Sequence, residues 1–248
     1  MNDEAFEYVP RALTARPVER AISPRDEMFE GDENHYFSVG TDALRLLRQS
    51  LAAVHAPEPR AILDLPCGHG RVLRHLHAAW PAAKITASDL NRDGVDHCAQ
   101  TFDAQPVYSE LDPERIPLRT AHFDLVWVGS LFTHLSLDLW RAYARMFSRV
   151  LKKDGLFVFT TLGRYGAYRI RQGFDYRLAP DALPELLSEF DGEGFAYANY
   201  PNHEHYGICL ASASWVVREV VDDPGWKLVW CGEMAWDRHQ DVFACQKV

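Results

Sequence analysis

The strongest constraint on the fold of this chain is a regular alternation of short apolar runs with amphipathic stretches between residues 61 and 161. The runs are rich in β-branched, aromatic and leucine side chains, which favours strands. They predict five strands, at residues 61–65, 84–88, 106–109, 123–128 and 156–161. Continuous apolar strands separated by amphipathic helices are typical of a parallel sheet covered on both faces.

Two more strand-like runs lie near the end of the chain, at residues 227–231 and 241–245, with little sequence between them. They suit an antiparallel pair that closes one edge of the sheet. We therefore predict an α/β fold with a Rossmann-like, seven-stranded, mostly parallel sheet, helices on both faces and an antiparallel last strand.

The chain divides into an arm, a domain and an insertion. Residues 1–40 predict an N-terminal arm, because they mix charge and proline with few periodic apolar positions. Helical spacing begins near Thr41, a suitable N-cap, and residues 41–248 predict a single domain. Within it, the aromatic segment 162–226 contains helix patterns near 183–190 and 215–221. Insertions this long are usually functional or disordered, and the aromatic content favours an ordered lid over a ligand site.

Composition argues against several classes of protein. A net charge of −9 disfavours a general affinity for nucleic acid, although a local basic patch remains open at Arg164, Arg169, Arg171 and Arg177. The first residues lack the apolar core of a secretory signal, and no apolar run is long enough to cross a bilayer. The five cysteines have no zinc-like spacing, so we expect buried, reduced thiols and no metal. A cytoplasmic protein without a membrane partner is expected, with its oligomeric state left open.

A glycine-rich turn follows the first predicted strand, with the sequence Asp-Leu-Pro-Cys-Gly-His-Gly from Asp64 to Gly70. Glycine lets the main chain approach a ligand where a side chain would collide, and the next helix offers free amides. Asp89 ends the second predicted strand, roughly 20 residues beyond the turn, where a carboxylate suits ribose hydroxyls. The pattern therefore predicts a nucleotide-type pocket.

Other interpretations of the glycine-rich turn and of the two acids Asp89 and Asp112 remain open. A dinucleotide site needs a third glycine where helix and strand pack, but bulky Leu73 stands there, so a dehydrogenase is disfavoured. The turn could also be structural and bind no ligand. Asp89 could cap a helix, and Asp112, in an Asp-Pro pair, could begin a turn.

The motifs resemble those of class I S-adenosylmethionine-dependent methyltransferases over about residues 40–162. The glycine-rich turn is similar to the family's first motif, although Pro66 replaces the usual first glycine and removes an N–H donor. Residues 112–118 resemble the family's adenine-contacting segment, and residues 123–135 its fourth-strand motif. The resemblance implies S-adenosylmethionine as cofactor, with contacts from Asp64, Pro66, Cys67, Gly68, Gly70, Asp89, Leu90, Asp112 and Ser130, and with Phe37 covering the donor.

Candidate catalytic and substrate-binding residues lie outside the glycine-rich turn. His134 follows the fourth strand, where ligands collect in open α/β sheets, and could take a proton from an acceptor. It could instead order the next helix or touch the cofactor. His239, between the last two strands, is the second candidate base. Predicted substrate contacts are Tyr36 ahead of the first helix and His203, His205 and Tyr206 in the insertion; packing on the sheet or exposure to solvent are the alternatives.

The function expected from these residues is methyl transfer from S-adenosylmethionine to a small-molecule acceptor. Aromatic residues interleaved with Arg and His in residues 162–206 suit O-methylation of a hydroxyl on a glycosyl or natural-product type compound. The alternatives are a non-catalytic cofactor-binding protein of the same fold and a methyltransferase for a macromolecule. The net charge disfavours RNA as that macromolecule.

Overall fold

The computed structural model describes residues 13–223 and 225–248. Its nine strands are β1 (Ala61–Asp64), β2 (Lys84–Asp89), β3 (Gln105–Tyr108), β4 (Phe123–Val128), β5 (Leu151–Thr161), β6 (Phe195–Asn199), β7 (Gly207–Ala211), β8 (Trp226–Trp236) and β9 (Gln240–Lys247). Seven form the central sheet in the order β3-β2-β1-β4-β5-β9-β8. β1 to β5 are parallel, and β9 is antiparallel to both of its neighbours. The predicted sheet and its antiparallel last strand are confirmed.

Helices cover both faces of the sheet. They are α1 (Glu33–Ala53), α2 (Leu73–Ala79), α3 (Arg92–Phe102), α4 (Leu137–Val150), α5 (Arg164–Arg171), α6 (Ala182–Glu193) and α7 (Ala213–Asp222). Successive strand residues point to opposite faces: Ile62 packs in the cluster with α1, α2 and α3, and Leu63 in the cluster with α4 and α7. Burial of each such aliphatic side chain stabilises the folded state by about 1.5–3 kcal/mol relative to leaving it exposed.

The first helix begins earlier than the sequence predicts. Asp32 is the N-cap and accepts a hydrogen bond from the His35 main-chain N–H at 3.1 Å. Thr41, the predicted cap, lies inside the helix, and its hydroxyl donates to Phe37 O. Gly40 lies inside this helix, and a larger residue would not fit there because its side chain would collide with His75. The prediction of a helix start at Thr41 was therefore wrong by about two turns.

The described part of the arm, from residue 13 to Asp32, is irregular but fastened to the domain. Arg74 is fully buried in α2 and donates to Glu19 O at 3.0 Å and to Ala21 O at 2.9 Å. The same guanidinium donates to Gly70 O at 3.0 Å, which ties the arm to the glycine-rich turn. Residues 1–12 of the predicted arm lie outside the described residues.

The insertion is more regular than predicted. Its expected helices are confirmed as α6 and α7, whereas α5 and the antiparallel hairpin of β6 and β7 were missed. The hairpin is joined to the carboxyl ends of the central strands, because Cys209 N donates to Thr133 O and Ala211 N to Leu162 O. The insertion thus covers the edge where β4 and β5 end.

Three further observations bear on the expected class of protein. No helix in the described ranges is long and apolar enough to span a bilayer. Among the same residues, no group of three His, Cys, Asp or Glu side chains could hold a metal ion. Four cysteines are buried as expected, but Cys231 on β8 is exposed.

Candidate active site

The glycine-rich turn joins β1 to α2 at the carboxyl edge of the sheet. Gly68 and Gly70 have φ values of 50° and 85°, a region that L side chains rarely adopt. The Gly68 N–H donates to Asp89 Oδ2 at 2.8 Å, and Cys67 N donates to Ser88 O at 3.0 Å. The donor missing at Pro66, which follows a cis peptide bond, is therefore not needed to join the turn to β2.

Asp64 is the most unusual group of this edge. It is 1% exposed, and neither carboxylate oxygen has a hydrogen-bond partner in the structure. Burial raises the pKa of this carboxyl well above its usual value, and the charge of Asp89 raises it further. A buried, unpartnered carboxylate is unfavourable unless a cationic donor occupies the space beside it.

The residues predicted to bind the rest of a nucleotide lie near the next strand ends. Asp89 Oδ1 accepts from Asn91 N at 2.9 Å, and Leu90 is 55% exposed. Asp112 caps the short 3-10 turn Pro113–Arg115 by accepting from Glu114 N, which is the turn-starting role left open by the sequence. The cofactor contacts of these residues stay predictions.

Ser130 belongs to a hydrogen-bonded network across the ends of three strands. Its main-chain N–H donates to Thr160 Oγ1 at 2.8 Å, and its hydroxyl accepts from Gln240 Nε2 at 2.9 Å. The Thr160 hydroxyl in turn donates to Gln240 Oε1 at 2.6 Å. This network fixes the end of β4 next to the chain that leads to His134.

A cavity of about 570 Å³ opens beside this network and brings together four of the predicted residues. These are His134 and His239, the candidate bases, and His203 and Tyr206, candidate substrate contacts. The remaining lining residues are Met28, Thr133, Leu162, Phe174, Tyr176, Arg177, Tyr200, Pro201, Ile208 and Gln240. The arm, the ends of β4 and β5, the insertion and the β8–β9 turn all contribute to this surface.

His134 is held in one orientation. Its Nδ1 lies 2.8 Å from Gly207 O, and since a carbonyl can only accept, Nδ1 is the donor. In the neutral ring, Nε2 then keeps its lone pair. Burial lowers the pKa of His134, an effect that the hydrogen bond to Gly207 opposes. The Tyr206 ring packs 5.0 Å from the imidazole. In its neutral form, half-buried His134 therefore presents Nε2 as a hydrogen-bond acceptor.

His239 has a weaker claim to a catalytic role. Its Nε2 is 3.5 Å from the Tyr176 hydroxyl. Burial lowers the pKa of His239, and the charge of Arg169 lowers it further. Asp237 does not pair with it, because both of its oxygens contact His35 Nε2.

Two of the predicted substrate contacts, Tyr36 and His205, and the predicted donor cover Phe37 do not line the cavity. Tyr36 is buried in α1, where its hydroxyl donates to Asp26 and accepts from Arg74 Nη2 at 3.2 Å. Phe37 is 6% exposed and lies under the Arg20 guanidinium, 3.4 Å from the ring centroid. His205 is exposed, with φ of 62°. Tyr36 and Phe37 are buried in α1, which begins earlier than predicted, and their ligand contacts stay predictions.

Sequence reasoning missed Arg71, which directly follows Gly70. Its side chain is half-buried and makes no hydrogen bond or ion pair within the described ranges. Burial lowers the pKa of Arg71, and the charges of Tyr36, Asp26 and Asp237 oppose this effect. The sequence signal that could have identified Arg71 is its position immediately after Gly70. Tyr176, Tyr200 and Gln240 were also missed.

Comparisons with known proteins agree with this geometry. A family described as "Methyltransferase domain" matches residues 62–155. A malonyl-[acyl-carrier protein] O-methyltransferase of Geobacter sulfurreducens is 35% identical over 139 residues, covering 54% of this chain and 50% of the relative. The same enzyme of Pseudescherichia vulneris is 32% identical, with 60% and 62% covered. A fatty-acid O-methyltransferase of Mycolicibacterium smegmatis is 28% identical, with 53% and 45% covered.

The chain thus matches about half to three fifths of the length of these relatives. Among solved structures, the 1,6-didemethyltoxoflavin-N1-methyltransferase of Burkholderia thailandensis, with bound S-adenosylhomocysteine, has a TM-score of 0.58 at 16% identity, covering 86% of this chain and 79% of that one. An S-adenosylmethionine dependent methyltransferase from Listeria monocytogenes has a TM-score of 0.56 at 16% identity, with 84% and 99% covered. At this identity the structures show a shared fold.

The sheet order with its antiparallel last strand, the turn from Asp64 to Gly70 and these matches all agree. The chain has the fold of class I S-adenosylmethionine-dependent methyltransferases and is similar in sequence to a methyltransferase domain over residues 62–155.

Proposed function

We propose that this chain is an O-methyltransferase that uses S-adenosylmethionine to methylate a hydroxyl of a small glycosyl or natural-product type acceptor. The observation that carries the proposal is the cavity containing His134, which opens where β4 and β5 end. β1, which leads into the glycine-rich turn, and β4, which leads to His134, are adjacent parallel strands. The glycine-rich turn and the acceptor cavity therefore lie at the same edge of the sheet.

The residues of the edge fit this cofactor. The unpartnered Asp64 carboxylate would accept hydrogen bonds from the ammonium of the methionine part, and the free Arg71 guanidinium would pair with its carboxylate. Asp89, at the end of β2, would accept hydrogen bonds from the ribose hydroxyls. Gly68 and Gly70 leave room for close approach along the turn. When bound, S-adenosylmethionine supplies a methyl group activated by a sulfonium.

The protein has to align the acceptor oxygen and take up its proton. Nε2 of His134 would accept the hydroxyl proton, since Nδ1 is committed to Gly207 O. Tyr200 and Tyr206 line the cavity beside this imidazole and would exclude water from the reacting oxygen. Positioning and proton removal are thus assigned to residues that the structure brings together.

The names of the relatives support oxygen as the accepting atom. Two of them are named for O-methyl transfer to malonyl-[acyl-carrier protein], and one for O-methyl transfer to a fatty acid. A carrier-bound acceptor is therefore included in the proposal. A cytoplasmic location and the absence of a nucleic-acid partner stay predictions from the sequence.

Transfer of a radiolabelled methyl group to a panel of phenols, sugars and acyl thioesters tests this proposal. His134→Asn keeps a donor for Gly207 O but lacks Nε2, and general-base removal should lower kcat by about 10²–10⁴-fold. His205→Asn, at an exposed position outside the cavity, is the matched control and should behave as the wild type.

Three outcomes of the panel would contradict the proposal. Cofactor binding without turnover of any acceptor would favour the non-catalytic alternative. Label appearing only in added RNA or protein would favour a macromolecular acceptor. An unchanged kcat in His134→Asn would remove the assigned base.

A further inference from the structure

The four arginines of the insertion that the sequence marked as a local basic patch differ in their partners. Arg164 makes two hydrogen bonds to Glu233, at 2.9 and 2.8 Å, and Arg171 makes two to Asp191, at 2.6 and 2.7 Å. Two of the four positive charges are therefore neutralised by carboxylates on other elements.

The other two arginines lie at the acceptor cavity. Arg169 stacks over Phe174, a lining residue, with 4.4 Å between guanidinium and ring centroid. Arg177 itself lines the cavity and is exposed, and within the described ranges its side chain has no carboxylate or hydrogen-bonding partner. Its main-chain N–H donates to Asp175, so the backbone is anchored while the guanidinium is free. Arg177 is thus a ready cationic donor group at the mouth of the cavity.

The surroundings of Arg177 favour an anion. The described lining residues of the cavity include no aspartate or glutamate. Asp175 accepts from the Arg177 main-chain N–H, Asp237 contacts His35, and Asp89 accepts from the amides of Gly68 and Asn91. The cavity therefore combines one free guanidinium with neutral donors and acceptors.

Tyr200 and Tyr206 form an aromatic wall of the cavity that His134 and Arg177 also line. Tyr200 and Tyr206 pack against the His134 ring, with centroids 6.0 and 5.0 Å away. The charge of Arg177 reaches the same two tyrosines and lowers their pKa values, against the raising effect of burial. His134 is half-buried and Arg177 is exposed. A ligand along this wall would contact His134 at its inner end and Arg177 at its outer end.

From this arrangement we infer that the acceptor is a hydroxylated carboxylic acid, whose carboxylate pairs with Arg177 while its hydroxyl reaches His134. The inference rests on the proposed function and narrows its substrate class. The planar guanidinium matches a carboxylate with two parallel hydrogen bonds. Arg177 is the one Arg or Lys among the described lining residues, and it neutralises the single charge of a carboxylate.

Binding of matched probes in the presence of S-adenosylhomocysteine tests the assignment. The pairs are 4-hydroxybenzoate with 4-hydroxybenzamide, and glucuronate with glucuronamide, so only the anionic group differs within a pair. The wild type should bind at least one acid more tightly than its amide. Arg177→Gln should weaken binding of that acid by about tenfold, the lower end for a charged hydrogen bond because the site is exposed, and leave the amide unchanged. Arg171→Gln is the control, since Asp191 already neutralises that charge.

Each other binding result overturns the inference. Equal affinity for acid and amide in both pairs, or no binding of either acid at millimolar concentration, would show that no carboxylate site exists. Equal weakening of acid and amide by Arg177→Gln would show a structural role only.

The product formed from 4-hydroxybenzoate tests the orientation and separates this inference from the proposed function. The 4-methoxy acid is expected, and the methyl ester would place the carboxylate at the reacting end and overturn the assignment. Arg177-dependent acid binding without methylation of any panel acceptor would confirm the anion site while refuting the methyltransferase activity.

Discussion

Replacing Asp64 by asparagine should make the ligand-free protein more stable while removing its affinity for the cofactor. The Asp64 carboxylate is buried without a partner, and burial, followed by the charge of Asp89, raises its pKa. A group whose pKa is raised on folding binds its proton more tightly in the native state, so its contribution to stability falls as pH rises above its usual range. At neutral pH the wild-type protein carries this penalty, and Asp64→Asn relieves it.

The magnitude follows from the burial of an unsatisfied polar group. Such a group costs about 1–3 kcal/mol, and more when charged. Asparagine stays polar, so Asp64→Asn removes only the added cost of the charge and should raise the free energy of unfolding by on the order of 1 kcal/mol at pH 7. Loss of a charge-assisted hydrogen bond of about 1.5–3 kcal/mol should weaken cofactor binding by about 10–150-fold. The two effects have opposite signs because the same carboxylate is unfavourable alone and favourable when paired.

Urea denaturation with and without S-adenosylhomocysteine measures both effects. The wild type should gain about 2.7 kcal/mol at a ligand concentration 100 times its Kd, and Asp64→Asn should gain much less. Asp124→Asn is the matched control, because the Asp124 carboxylate accepts from two amides and from Lys152 and its loss should destabilise. A less stable Asp64→Asn, or equal stabilisation of both proteins by the ligand, would refute this reasoning.

Three further predictions concern other positions. If His134 accepts the proton, kcat/KM should fall on the acid side with an apparent pKa below 6.5, the ordinary value, because burial lowers it; a pH–rate profile with no such limb in the wild type would contradict the assignment. Burial raises the pKa of Asp241 to about 6, so the free energy of unfolding should decline as pH rises from about 4 through 6. Asp241→Asn keeps an acceptor for Met234 N and should remove that decline. In thermal or urea unfolding at pH 7 this variant should be roughly 2–3 kcal/mol more stable than the wild type. Gly94→Ala should weaken S-adenosylhomocysteine binding in titrations, because its Cβ would lie 2.4 Å from a main-chain oxygen of the glycine-rich turn, whereas Gly192→Ala, with nothing within 4 Å, should leave it unchanged.

The sheet and its glycine-rich turn could be predicted because their signals are local. Each strand of the parallel half is a short apolar run, and the turn shows its glycines directly. The insertion has weaker sequence signals for its strands. β6 and β7 flank a Tyr- and His-rich segment, and its polar residues obscure the apolar pattern of the hairpin. The start of α1 was missed because Gly40, usually a helix breaker, is required there by the close approach of His75.

In the candidate site, too, the sequence revealed the residue types with local signals but not the features that depend on tertiary contacts. His134, His203, Tyr206 and His239 were found as residue types near strand ends, and the cavity brings them together. The special state of Arg177 could not be predicted, because the carboxylate that neutralises Arg164 is 69 residues away and the one that neutralises Arg171 is 20 residues away. Which arginine remains free depends on tertiary contacts that spacing does not reveal.

Calorimetric titration of the purified protein with S-adenosylhomocysteine, alongside Asp89→Ala, tests the central claim most directly. The account predicts one site per chain, and binding that is strongly weakened in Asp89→Ala, because the ribose hydroxyls lose their carboxylate. A wild-type protein that does not bind S-adenosylhomocysteine, or a variant that binds it equally well, would contradict the cofactor site described above.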